Sequence, residues 1–156
     1  MKLSPHFSLY EMTRSSTATR LGIVNQPTPD EVESLRLVCN ELLEPVREHW
    51  GIPFSPSSGF RSVELNRAVG SSDRSQHVFG QAVDFEIPAV LNMEVAKWMS
   101  ENCQFDQIIL EFYEESIPNS GWIHASIIPD LNRSEVLRYD GLMFYHGLED
   151  EDDLIA

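Results

Sequence analysis

Between residues 28 and 50 the apolar side chains return at steps of three and four: Val32, Leu35, Cys39, Leu42, Leu43 and Val46 make one stripe, the spacing of an amphipathic helix. Thr28-Pro29-Asp30-Glu31 opens it with a capping threonine, a proline in the first turn and a glutamate three residues after the cap. Pro45 removes an internal amide donor and predicts a kink, and Gly51 ends the helix near Trp50. A shorter helix capped by Ser62 runs to Ala68, and another capped by Asn92 runs to Asn102 with Val95, Trp98 and Met99 inward. Further on, the period changes to two. Residues 106–112 and 122–128 are apolar-rich and flank YEESIPNSG, whose Pro118, Asn119 and Gly121 are turn residues, so an antiparallel hairpin is predicted. Alternation sends Ile108, Leu110 and Phe112 to the core with Ile123, Ala125 and Ile127. It leaves Gln107, Ile109 and Glu111 on the other face with Trp122, His124 and Ser126. Pairing about the loop sets Glu111 opposite His124. Residues 82–87 read as a further strand. Residues 52–57, broken by Pro53 and Pro56, read as an edge strand or extended lead-in. Residues 1–27 alternate irregularly and are expected to be loop with a short helical turn, with Phe7, Leu9, Leu21, Ile23 and Val24 covering part of the core.

Helices and strands segregated in this way over 156 residues, 42% of them hydrophobic, make one α+β domain with a single core. The formal charge of -14 argues against binding nucleic acid or an anionic membrane, whose surfaces call for excess Lys and Arg. Much of that charge lies in Glu149, Asp150, Glu151, Asp152 and Asp153. The expected organisation is therefore a domain over 1–147 and a solvated acidic tail over 148–156. Cys39 and Cys103 form no CxxC pair, and Cys39 on the apolar stripe reads as a small buried hydrophobe. MKLSPHFSLYEM has no continuous apolar run, so no signal peptide and synthesis in a cytoplasm are expected.

The chemistry is concentrated in SSGFRSVELNRAVGSSDRSQHVFGQAVDF, residues 57–85. His77 and Asp84 stand seven residues apart; in one straight strand they would face opposite sides, ~23 Å apart. They can share a metal only if the chain folds back between them, and Gly80 permits that bend. His124, in GWIHAS, is the best third ligand. Two imidazoles and one carboxylate with an open fourth position form a catalytic zinc shell. His6, His49 and His146 lack such a partner set and read as surface or packing residues.

The ordered set S-G-F-R-S, L-N, V-G, S-Q-H and G-x-A-x-D, followed some forty residues later by W-I-H, resembles the zinc D-alanyl-D-alanine carboxypeptidase-like metallopeptidases, a group of cell-wall peptidases and phage endolysins. HFSLYEMTRSSTATRLGIVNQPTP resembles small phage-encoded members, so the likeness extends to about Arg138. It implies a hedgehog/DD-peptidase-like sheet, small and antiparallel, with helices on one side. It also implies one Zn2+ ion on His77, Asp84 and His124, and a peptidoglycan stem or cross-link peptide as substrate. A monomer is expected, and delivery by a phage is the route to the wall. A carboxylate then takes a proton from water and passes it to the leaving amine. Many relatives carry that acid three residues before the last histidine, where this chain has Gly121. Glu111 becomes the candidate base, with Asp106, Glu114 and Glu115 as substitutes, or else a partner that fixes His124. Arg61 reads as a clamp on a substrate carboxylate or developing oxyanion, the alternative being an ion pair with Asp73 or Glu64. Gln76 is a second candidate donor to that oxyanion. Gly121 also sustains the competing expectation, a noncatalytic phage or wall-binding module that keeps the zinc-site fold.

Overall fold

Two short helices open the chain in the computed structural model, which describes residues 1–149. They are α1 (Leu9–Thr13), closed by a capping box between Ser8 and Glu11, and α2 (Ser16–Leu21), capped by Ser15. Phe7 and Met12 are fully buried, and Leu9 packs against the core. Leu21 and Val24, expected inside, are exposed at 54% and 75%. The short α2 buries only Ala18, so it has no apolar face for Leu21 to join.

The long stripe forms α3 (Pro29–Val38) with the predicted Thr28–Glu31 capping box, a π-turn (Cys39–Leu43), and α4 (Glu44–Trp50) ending on Gly51 at φ 66. The irregularity expected at Pro45 takes the form of that π-turn. The Glu44 amide already reaches back five residues to the Cys39 carbonyl, so the donor that proline lacks falls where the four-residue ladder has changed register. Cys39 is buried, and burial raises its thiol to about 12.

Next come α5 (Val63–Ala68), capped by Ser62, and a 3₁₀ turn (Gln76–Phe79). Strand β1 (Ala82–Phe85), α6 (Asn92–Asn102), β2 (Gln107–Glu111), β3 (Trp122–Ser126), β4 (Glu135–Tyr139) and β5 (Phe144–His146) follow. Residues 52–57 are the extended lead-in, and Ser58 bridges Asp84 on the open side of β1. Asn92 does not cap α6; Leu91 does, without a side-chain bond. The Asn92 amide instead reaches Ser120 O and Gly121 O at 3.1 and 3.0 Å, tying the helix start to the loop before β3.

The sheet order is β1-β3-β2-β4-β5. Three of its pairings are antiparallel, but β2 and β4 run parallel, so the sheet is mixed where an antiparallel one was expected. The reason lies in residues 127–134. Strand β3 ends beside the start of β2, and a short connection that crosses that end must send β4 off in the direction of β2. Asp106, 1% exposed, holds the crossing: its carboxylate accepts from the Arg133 amide at 2.9 Å and from the guanidinium at 2.7 to 3.3 Å.

Val83, Phe85, Ile108, Leu110, Ile123 and Ala125 fill the core face of the sheet, where α3 and α6 pack. The opposite face carries Asp84, Gln107, Glu111, His124, Ser126 and Glu135. Phe112, expected in the core, is 42% exposed, because its left-handed backbone (φ 55) breaks the alternation and turns the ring against Trp122 and Tyr139. Leu148 packs against the core and Glu149 pairs with Lys97 at 3.1 Å; the rest of the acidic tail lies outside the described residues. Among the described residues no helix is long and apolar enough to cross a membrane.

Candidate metal centre

The bend predicted at Gly80 is what closes the site. The 3₁₀ turn places His77 and ends on Gly80 at φ 69, where a Cβ would stand 2.7 Å from Glu31 O on α3. No side chain fits there, so the chain reverses tightly and enters β1 with Asp84 directed back toward His77. Asp84 pairs in register with His124 across β1 and β3. The ligand atoms of His77, Asp84 and His124 lie within 4.8 Å of one another. Asp84 Oδ1 is 3.3 Å from His77 Nε2 and 2.9 Å from His124 Nδ1, with the imidazole rings edge to face at 5.1 Å.

This donor set fits a dication. His77 Nδ1 lies 2.6 Å from the Gly59 carbonyl, which can only accept, so Nδ1 carries the proton and Nε2 presents its lone pair. Burial pushes the His77 imidazole below its ordinary range, against the pull of Asp84, and favours the neutral ring. A lone pair and a carboxylate oxygen then face each other at 3.3 Å, which calls for positive charge between them. Burial works to raise the Asp84 carboxyl, but its contacts with the two histidines hold it far below the usual range. It is therefore an anion at neutral pH.

Arg61 reaches Asp84 Oδ2 at 3.3 Å, Ser58 Oγ at 3.0 Å and Asn66 Oδ1 at 3.2 Å. Asp73, a partner considered from sequence, is taken by Arg67 at 2.7 Å. Gln76 Nε2 donates to Asp106 Oδ2 at 2.9 Å, and Asp106, spent on Arg133, is no free base. His6 pairs with Glu44, His49 stacks on Trp98, and His146 is exposed in β5. Two amides that motif reading passed over hold the loop in place. Asn25 bonds Thr13 O, Phe60 O and Ser62 N, while Asn66 bonds Ser72 O and Arg61. An isolated Asn in a turn-rich stretch carries no pattern that would single it out.

Glu111 shares the site's face of the sheet, as the alternation predicted, but its register differs. It lies opposite Trp122, and Ile109 lies opposite His124. Glu111 is therefore the diagonal neighbour of His124, ~7–8 Å between backbones and within side-chain reach. Burial and then the charge of Asp84 push its carboxyl up, with His124 and Arg61 opposing.

Gly121 cannot host the acid that many relatives carry there. It has φ 72, and a Cβ would overlap Glu111 O and stand 2.7 Å from Phe112 C. Gly121→Ala is expected to cost about 3 kcal/mol or more, from left-handed strain plus the backbone clash, read as a lowered urea midpoint at unchanged m-value.

A small α+β domain that sets a His-Asp-His donor group beside a half-buried carboxylate has the layout of a metal-dependent hydrolase. The chain belongs to the Peptidase M15 family, whose model matches residues 5–126; it is a zinc-dependent metallopeptidase family, and the matched span holds His77, Asp84, His124 and Glu111. No curated protein matches the chain.

Proposed function

We propose that the domain is a peptidoglycan peptide hydrolase, cutting stem or cross-link peptide bonds in the manner of a phage endolysin, with one zinc ion on His77 Nε2, Asp84 and His124 Nδ1. The observation that carries this is the convergence of the three ligand atoms within 4.8 Å on the same sheet face as Glu111. Zinc held there supplies Lewis acidity at neutral pH, polarising a carbonyl and acidifying water.

The chain's own groups do the rest. Glu111 takes the proton from the attacking water and delivers it to the leaving nitrogen, a role served by a carboxyl raised above its ordinary range. Arg61, anchored through Ser58 and Asn66, presents fixed donors beside Asp84, where negative charge gathers on the carbonyl oxygen. Gly59 O keeps His77 in the tautomer that ligates.

Zinc-loaded protein incubated with purified peptidoglycan is expected to release peptides with new termini, identified by mass spectrometry, and to stop on chelation. The position of the new terminus separates D,D-carboxypeptidase from endopeptidase action. Gly121 in the relatives' acid position favours the second reading, a noncatalytic module, and that reading prevails if no wall type yields product.

A further inference from the structure

Residues 58–61 touch two of the three ligands at once. Ser58 O accepts from the Asp84 amide at 2.8 Å, and Asp84 O accepts from the Ser57 amide at 2.9 Å, so the Asp84 backbone is fixed on the open side of β1. Gly59 O receives His77 Nδ1, and the Arg61 amide donates to His77 O at 3.1 Å. The Arg61 side chain then returns to the Asp84 carboxylate. Of this segment, the guanidinium is the part that meets a ligand's own donor atoms.

The two oxygens of Asp84 are divided between neighbours. Oδ1 faces His77 Nε2 at 3.3 Å and His124 Nδ1 at 2.9 Å, whereas Oδ2 faces Arg61 Nη2 at 3.3 Å. A carboxylate binds a cation through one oxygen or through both, and three protein ligands leave zinc a fourth position only if each gives a single atom. A second oxygen from Asp84 would fill that position. Arg61 holds Oδ2 away from it. The Arg61 and Asp84 side chains are only 16% and 12% exposed, so water competes little for that oxygen.

The guanidinium is itself held. Nε donates to Ser58 Oγ at 3.0 Å and Nη1 to Asn66 Oδ1 at 3.2 Å, so each of its three nitrogens has a protein acceptor. Asn66 is 0% exposed, and its remaining groups are engaged as well. Its Nδ2 donates to Ser72 O at 2.7 Å, its backbone amide to Ser62 O at 2.8 Å, and its carbonyl accepts from the Ser71 amide at 3.0 Å. A buried polar network with its members satisfied is rigid. This one runs from the loop after α5, through Asn66 and Arg61, to one chosen oxygen of Asp84.

We propose that Arg61, locked by Ser58 and Asn66, is a positioning residue for the metal: it keeps Asp84 Oδ2, so that Asp84 offers the ion Oδ1 alone and the fourth position stays open. The role rests on the zinc assignment proposed above, and its test separates the two.

Full-length protein is loaded with Co(II) in place of zinc, and visible absorption is recorded for the parent, Arg61→Met, Arg61→Lys and Ser58→Ala. Four-coordinate cobalt absorbs strongly and five- or six-coordinate cobalt weakly, so the band reads the number of donors. The parent should give the strong band. Arg61→Met, of similar length but without a donor, should weaken it as Oδ2 joins the ion. Arg61→Lys, still able to donate to Oδ2, should stay nearer the parent. Ser58→Ala loses only the Nε acceptor and should weaken the band less than Arg61→Met. With zinc, kcat on wall peptide should fall about tenfold to a hundredfold in Arg61→Met, the scale of a partner that orients a ligand. Urea midpoints show which variants fold, and Ser58→Ala decides the matter if Arg61→Met does not. A weak band in the parent, or an unchanged band in the folded variant, overturns the role; a raised KM with an unchanged band makes Arg61 a substrate clamp alone. A parent that binds neither cobalt nor zinc overturns the zinc assignment. A strong parent band that the variants weaken, in a protein that cuts no wall peptide, overturns the peptidase reading and leaves the role of Arg61 standing.

Discussion

Glu111→Gln is expected to lower turnover on wall peptides by on the order of 10²-fold or more, the usual contribution of a general base, while zinc content stays at the parent level. The substitution keeps size and hydrogen bonding and removes only the basic oxygen. Glu111 is the diagonal neighbour of His124 on the metal face, not its direct partner, so losing its charge does not remove a ligand. The other carboxylates considered from sequence are less able to serve: Asp106 is buried under Arg133, and Glu114 lies exposed in the loop. Metal analysis and steady-state kinetics on the same preparation check the result. A mutant with normal zinc and normal rate would mean that another group moves the proton.

Removing a ligand should act on the metal itself. His77→Ala and His124→Ala are each expected to weaken zinc binding by more than the 10–100-fold typical of outer-shell partners, measured by chelator competition, and to abolish hydrolysis. Each deletes one of three protein ligands and also strips a partner from Asp84, a buried anion held by both histidines and Arg61. Stability should therefore fall in the metal-free proteins as well, since leaving a buried charge short of partners is costly. Full zinc occupancy in the double mutant would end the assignment of the site.

The register of the hairpin shows how far alternation reaches. Pairing centred on the loop set Glu111 opposite His124, and the structure slips it by two residues. A slip of two preserves every face, because the side-chain period is two. The group of residues sharing the metal side was thus legible while the partners within it were not. What moved the register is the close fit of Gly121 against Glu111 O, together with the Glu114–Ile117 bridge inside the loop. Neither leaves a signal in a stretch that reads only as turn-forming. Strands β4 and β5 carry no such signal for a related reason: the place of β4 beside β2, and with it that of β5 beside β4, depends on Asp106 holding Arg133 across the sheet end.

By itself the sequence determined the features whose cause lies within a turn or two of chain. These are the Thr28 and Ser62 caps, the long apolar stripe, the reversal at Gly80 and the donor types of His77, Asp84 and His124. Capping, periodicity and positive φ act between near neighbours and therefore show in the order of residues. Only the tertiary structure decided what depends on contacts between distant segments. It made the sheet mixed, turned Phe112 out beside the site, and closed the relatives' acid position to any side chain at Gly121. Those outcomes follow from where packed backbones leave room, which no local pattern encodes.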